Sequence, residues 1–233
     1  MFRQFGIDGS SEFFGQPHAA NVSVAQSGQL DELVALERIG SRRSFSRDEE
    51  IYAEGDRADC WFKVVSGTVR ICKLMADGRR HVAEFFFAGD CFGLDGESER
   101  VFAAEAVGDV IVMRFNRAAT ERLADELPKL ARRMCNMTLR NLAHAQTRLL
   151  LLGRMTASER VASFLIELAE RCDVRRMLDV PMSRNDIADY LGLTIETVCR
   201  VLSAMKRDGA IAIPHPHRIE ICDRDALEAV VDA

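Results

Sequence analysis

The sequence has no long apolar run, no closely spaced cysteine pair and no excess of positive charge. No window approaches the roughly 18 apolar residues that a membrane span needs, and the longest apolar cluster is Leu149 to Leu152. Residues 1–21 carry one basic residue, Arg3, and no apolar core, which argues against a secretory signal. The cysteines Cys60, Cys72, Cys91, Cys135, Cys172, Cys199 and Cys222 are odd in number and widely spaced, with no Cys-x-x-Cys. A disulfide scaffold and a zinc ribbon are therefore not expected, and a reducing cytoplasmic setting is. With 31 Lys and Arg against 36 Asp and Glu, the formal charge is −5, so the chain has no polybasic arm. Metal catalysis lacks ligands too: the strand-rich part offers only His81 with Glu84, and the next histidine is His144. No metal, no membrane association and no enzyme activity are expected.

What is present suits one or two domains: 233 residues, 48% apolar and 29% charged. Residues 1–30 are weakly patterned and are expected to form a flexible arm. Asp31 to Leu36 reads as a short helix. From Ile39 to Asn116, short apolar runs alternate with turn signals such as Glu54-Gly55-Asp56, Ser66-Gly67, Asp77-Gly78 and Ala88-Gly89-Asp90. Trp61–Val65, Thr68–Cys72 and His81–Phe86 are strand-like, and this spacing predicts an all-β roll of jelly-roll type over residues 31–125. Asp77-Gly78 is a hairpin turn. Cys60, Cys72 and Cys91 belong to the roll interior. Met75, Phe85, Phe87 and Phe92 read as core, with a small-ligand pocket as the alternative.

The chain turns helical at Arg117, and Pro128 suits a first helical turn. Residues 126–153 form one long helix with two apolar rows: Leu130, Met134 and Met137, and Cys135, Leu139, Leu142 and Leu149. Two such faces must both be buried. One can cover the roll, and the other needs a partner, most simply a second copy of the chain. These seven residues are the candidate interface of a homodimer. Gly153 is expected to end the helix. Thr156 with Glu159 is a capping box opening the next one, whose apolar row is Val161, Phe164, Leu165 and Leu168.

The most informative segment runs from Pro181 to Ile211. Ser183 caps a short helix ending at Leu191, Gly192 makes a tight turn, and Thr194 caps a second helix. Ile195, Val198, Val201, Leu202 and Met205 are the expected buried stripe of that helix, and Gly209 ends it. Two caps, a glycine turn and two helices of this length predict a helix-turn-helix. Ala210–Ile213 and Arg218–Ile221 add a two-stranded wing, and Pro-His-Pro-His is its tip rather than a metal pair. The predicted fold class is α+β: an N-terminal double-stranded β-roll, a long dimerisation helix, and a C-terminal winged helix-turn-helix over 154–233.

In a helix-turn-helix the start of the second helix reaches base edges. The candidate base contacts are Ile195, Glu196, Thr197, Cys199 and Arg200. Arginine can pair bidentately with guanine and glutamate can accept from cytosine. Ser183, Arg184, Thr194, Ser203 and Lys206 are candidate phosphate contacts, which position but do not specify. Residues 151–233 carry 11 Lys and Arg against 14 Asp and Glu, so the charge that meets double-stranded DNA must be local. Cys199 is also a candidate redox switch, since oxidation adds bulk and then negative charge next to a polyanion.

This arrangement resembles the CRP/FNR superfamily of bacterial transcription regulators. The resemblance covers nearly the whole chain past residue 30 and is most specific over Ser183–Arg200. There it is similar to the FNR-type motif, in which Glu, Ser and Arg stand at the positions of Glu196, Cys199 and Arg200. It implies a homodimer on a TTG…CAA-type palindrome and a contact with RNA polymerase. Iron–sulfur members carry an N-terminal cysteine cluster, and residues 1–59 contain no cysteine. Cyclic-nucleotide members hold the phosphate with Phe-Gly-Glu-Leu and an Arg-Ser or Arg-Thr pair. Here the chain reads Phe92-Gly93-Leu94-Asp95 and Arg100-Val101-Phe102. Lacking both signatures, it looks like the FixK-type branch: activators in low-oxygen gene circuits, here expected to work with no cofactor or effector. A regulator gated by an unidentified ligand in the roll is the alternative.

Overall fold

The computed structural model describes residues 34–231, and their side chains except at 140, 144, 147–152 and 154. The expectations placed on residues 1–30, on the start of the first helix and on the Leu149 side chain lie outside the described residues. The chain divides into two compact units, and the division falls within one long helix, between Leu149 and Leu150.

The first unit opens with the helical residues 34–39 (α1). Eight strands follow: β1 (Gly40–Phe45), β2 (Glu50–Tyr52), β3 (Cys60–Ser66), β4 (Val69–Leu74), β5 (Arg80–Phe86), β6 (Cys91–Phe92), β7 (Ala103–Ala106) and β8 (Val110–Asn116). They form two four-stranded sheets, β1-β8-β3-β6 and β2-β7-β4-β5, with antiparallel pairing throughout. This is the double-stranded roll.

Strand β3 explains how both faces of one sheet are used. Side chains alternate along a strand. Phe62 and Val64 point into the interior with Tyr52, Val69, Phe92 and Val112. Trp61 lies on the other face with Leu36, Cys91, Phe115 and Leu130. That outer cluster is covered by α1, α2 (Arg117–Glu126) and the start of α3 (Pro128–Arg154). Trp61 stacks on Phe115 with 4.2 Å between ring centroids. Its indole N–H donates to the Thr120 hydroxyl of α2 at 3.0 Å, which satisfies a buried donor that burial alone would penalise.

Turn chemistry fixes the roll's corners. At Ser66-Gly67 the backbone has φ +86°, and an added Cβ would lie 2.4 Å from the Asp109 carbonyl oxygen, so only glycine fits. The Asp77-Gly78 turn joins β4 to β5, with the Gly78 N–H donating to the Met75 carbonyl at 2.9 Å. Met75 sits at this tip and is exposed, so it is not a core or pocket residue, whereas Phe85 and Phe92 are buried. Cys60, Cys72 and Cys91 are all buried.

Helix α3 divides its two apolar rows. Leu130 is buried, and Met134 and Met137 pack partly buried on the outer cluster of the roll. This row, expected among the interchain contacts, is thus used within the chain. Cys135, Leu139 and Leu142 of the second row are exposed. Gly153 does not end the helix, which runs on to Arg154. A helical glycine costs only about 1 kcal/mol relative to alanine, too little to break a long helix.

The second unit comprises α4 (Ala157–Arg171), β9 (Met177–Asp179), α5 (Arg184–Leu191), α6 (Ile195–Arg207), β10 (Ile211–His215), β11 (Arg218–Ile221) and α7 (Arg224–Val231). Thr156 and Glu159 form the expected capping box. Val161, Phe164, Leu165 and Leu168 are buried. The wing has three strands rather than two, in the order β10-β11-β9.

Candidate nucleic-acid interface

The helix-turn-helix is built on its caps. The Ser183 hydroxyl accepts from the Asp186 N–H at 3.1 Å and donates to the Asp186 carboxylate at 2.7 Å. That carboxylate also accepts from the Ser183 N–H at 2.9 Å. Asp186 is buried, and these bonds compensate its loss of water. Gly192 turns the chain at φ +63°, in the left-handed region that favours glycine. Arg160 reaches across from α4 and donates to the Leu191 carbonyl at 3.0 Å and to the Met155 carbonyl at 3.0 Å. The end of α5 is thereby tied to α4. The Thr194 hydroxyl accepts from the Thr197 N–H at 3.3 Å and opens α6.

Val198, Val201, Leu202 and Met205 bury one face of α6. Ile195 does not join this stripe. It lies at the first turn, 37% exposed, beside the expected base-reading residues. Glu196, Cys199, Arg200 and Ser203 are exposed, and Thr197 is half-buried. Hydrogen bonds from its own backbone N–H and from the Thr194 hydroxyl hold the Glu196 carboxyl below its ordinary range. Glu196 and Arg200 stand one turn apart, yet among the described residues neither forms an ion pair. Lys206 is likewise exposed and unpaired among the described residues, whereas Arg207 lies 3.6 Å from Asp208.

Several expected phosphate contacts have intramolecular roles. Ser183 is engaged in its cap. The Ser203 hydroxyl donates to the Cys199 carbonyl at 2.8 Å. Arg184 is half-buried and donates to the Pro216 carbonyl of the wing tip at 3.2 Å. Burial pushes its guanidinium down and nearby Cys199 pulls it back up, and its buried Nη1 has no partner among the described residues. His217 Nδ1 lies 3.0 Å from the Val180 carbonyl oxygen, so that ring nitrogen serves the wing. Arg176 pairs with Glu220 at 2.6 Å and Arg218 with Asp179 at 2.8 Å, which neutralises the cations of the wing strands.

The roll interior holds a second polar cluster. Arg100 is 3% exposed. Its Nη1 donates to the Gly93 carbonyl at 2.8 Å and to the Asp95 carboxylate, and its Nη2 donates to the Cys60 carbonyl. The guanidinium stacks 4.2 Å from the Tyr52 ring centroid. Burial pushes the Tyr52 hydroxyl far up. Val101 and Phe102, the next two residues, bring no hydroxyl.

Residues 159–230 match the Crp-like helix-turn-helix domain, and residues 42–126 match the cyclic nucleotide-binding domain. The nitrogen fixation regulation protein FixK of Azorhizobium caulinodans is 41% identical over 214 residues, covering 90% of this chain and 86% of that protein. FixK of Bradyrhizobium diazoefficiens is 39% identical over 91% of this chain and 90% of its own. The solved structure of FixK2 from Bradyrhizobium japonicum superposes with a TM-score of 0.80 at 42% identity, over 84% of this chain and 98% of that one. The chain belongs to the CRP/FNR family, in its FixK-type branch. It is a DNA-binding transcription regulator, and its relatives are regulators rather than enzymes. No helix among the described residues is long and apolar enough to cross a membrane.

In this FixK-type chain, sequence reasoning located the recognition helix but missed three supporting groups. Arg160 and the Arg184 link to the wing carried no local signal, because their partners are 31 and 32 residues away. Asp95 is the third. It stands in the segment Phe92-Gly93-Leu94-Asp95, and its pairing with Arg100 five residues on becomes visible only once the loop between them is placed.

Proposed function

We propose that this chain is a transcription activator that binds a TTG…CAA-type palindrome as a homodimer, without a small-molecule effector, in low-oxygen gene control. The observation that carries the reading is the exposed, mutually unpaired Glu196 and Arg200 on a capped, rigidly seated α6. The exposed Arg200 guanidinium is available to base edges, where a bidentate pair discriminates by about 1–3 kcal/mol, and the exposed Glu196 carboxylate keeps acceptor capacity beyond its bonds to its own N–H and Thr194. Ile195, Thr197 and Cys199 flank them as further base contacts, and Ser183, Arg184, Thr194, Ser203 and Lys206 approach phosphates. Two further features support the finer parts of the reading. Leu139 and Leu142 are exposed apolar residues on a long helix, as a second copy would require. Arg100, the arginine that follows the Phe92-Gly93 segment, is already paired with Asp95. Activation then proceeds through contact with RNA polymerase in the cytoplasm.

The test is binding of the purified chain to the palindrome and to variants altered at one half-site base pair. Loss of discrimination at a single position in Arg200→Ala supports the reading, and unchanged discrimination overturns it. Oxidative control at Cys199 is tested with Cys199→Ser and peroxide: the parent loses DNA binding and the variant keeps it, whereas equal loss in both excludes Cys199 as the switch. A ligand-gated reading is favoured by one observation, the match of residues 42–126 to the cyclic nucleotide-binding domain. An increase in DNA affinity on adding cAMP selects it.

A further inference from the structure

The cluster around Arg100 is built like a binding site. A guanidinium is held out of water on an aromatic wall, with Tyr52 at 4.2 Å from ring centroid to guanidinium carbon and Phe62 at 5.9 Å. Gly93 has φ +72°, and an added Cβ there would lie 2.9 Å from Arg100 Nη1, so the backbone is shaped for the close approach. One buried donor, Nε, has no partner among the described residues. Burying a lone cation is costly, and a cation so placed needs an anion. The anion here is the Asp95 carboxylate, whose side chain is 23% exposed while that of Arg100 is 2% exposed. The loop bearing Asp95 is pinned in turn: Arg117, at the start of α2, donates to the Asp95 carbonyl at 3.0 Å and to the Glu97 carbonyl at 3.3 Å.

We infer that Arg100 lies in an internal anion site of the roll that Asp95 fills from within the chain. A chain without the Asp95 carboxylate takes a free small monocarboxylate in its place. The side chain of Asp95 is partly exposed, so the space that its carboxylate vacates opens to solvent and admits that anion. This deepens the effector-independent reading above: the chain supplies the anion as a covalent part of itself, so nothing has to be bound from solution.

The experiment uses the full chain as Asp95→Ala and Asp95→Asn, with sodium formate as the probe and sodium chloride of equal ionic strength as the control. Thermal unfolding is followed at neutral pH. In chloride, Asp95→Ala melts below the parent. In formate its Tm rises saturably, by on the order of 5 °C at ten times the dissociation constant. The parent and Asp95→Asn show only the small shift of a kosmotropic salt, because a carboxylate or an amide already fills the space. If Asp95→Ala fails to fold in chloride, recovery of folded protein on refolding in formate but not chloride gives the same answer. A formate response of Asp95→Ala no larger than that of the parent overturns the inference. The effector-independent reading fails on a different result, a parent chain that needs an added ligand to bind DNA, so the two failures are distinct.

Discussion

The division of the two rows on α3 yields a quantitative contrast between folding and association. Leu139 and Leu142 are 56% and 53% exposed, while Leu130 is 2% exposed against the roll. Fully burying a leucine side chain is worth about 1.5–3 kcal/mol, so half of each exposed leucine leaves roughly 0.8–1.5 kcal/mol for a partner to supply. A twofold interface counts each residue twice. The two leucines together then contribute about 3–6 kcal/mol to association, or two to four powers of ten in the dimer dissociation constant. Leu139→Ala/Leu142→Ala should therefore dissociate at micromolar concentrations in sedimentation velocity, with the Tm of the roll nearly unchanged. Leu130→Ala should do the reverse: it loses about 2–5 kcal/mol of folding stability by opening a cavity in the cluster around Trp61. A double variant that sediments like the parent refutes the assignment of the second row to the dimer. So does a Leu130→Ala variant that dissociates without being destabilised.

Other expectations follow from the same geometry. Arg200→Ala should weaken specific binding by about 1–3 kcal/mol and relax preference at one base position, read by competition with single-substitution duplexes. Lys206→Ala should weaken all duplexes alike and reduce the magnitude of the salt-dependence slope by about 1. Ser183→Ala removes both a cap and a partner of buried Asp186, and should lower stability by about 1–3 kcal/mol in chemical denaturation. A thiol reagent at mildly alkaline pH should modify the exposed Cys172, Cys199 and Cys222 quickly, Cys135 slowly in the dimer and quickly once the dimer dissociates, and Cys60, Cys72 and Cys91 only on unfolding. Burial pushes the Cys72 thiol to about 11 and the Cys91 thiol to about 12, from an ordinary value of 9.0. The unfolded chain releases these protons first as pH rises. Their contribution to stability is therefore full below pH 9 and lost toward pH 12, which denaturant titrations at stepped pH would show.

The features legible in the sequence were those set by local chemistry. Caps at Thr156, Ser183 and Thr194, the Gly192 turn and the apolar spacing of α4 and α6 specify their helices without distant help. The misses lie where a partner far along the chain decides. Met177–Asp179 becomes a strand because β11 offers an edge, although Met-Leu-Asp has no strand pattern of its own. The helix α7 was not anticipated. It follows a wing whose length can be judged only once β11 is placed. Met75 was grouped with phenylalanines on hydrophobicity alone, and its position at a hairpin tip exposes it. Both apolar rows of α3 look equivalent as sequence. Only the cluster formed by Leu36, Trp61 and Phe115 shows which one the roll covers. In the site, the exposed face of α6 was readable from periodicity. The Arg184 link to Pro216 required the wing to be in place.

Sequence-specific DNA binding by an effector-free dimer is what joins the α6 face, the second row of α3 and the filled site at Arg100. Fluorescence anisotropy with a labelled TTG…CAA palindrome tests it most directly, under reducing conditions, without added ligand, and with a scrambled duplex of the same composition as control. The expected result is a dissociation constant of about 10⁻⁸ M or tighter for the palindrome and binding on the order of 10³-fold weaker for the scrambled duplex. Equal affinity for both duplexes, or palindrome binding that appears only when a small ligand is added, contradicts it.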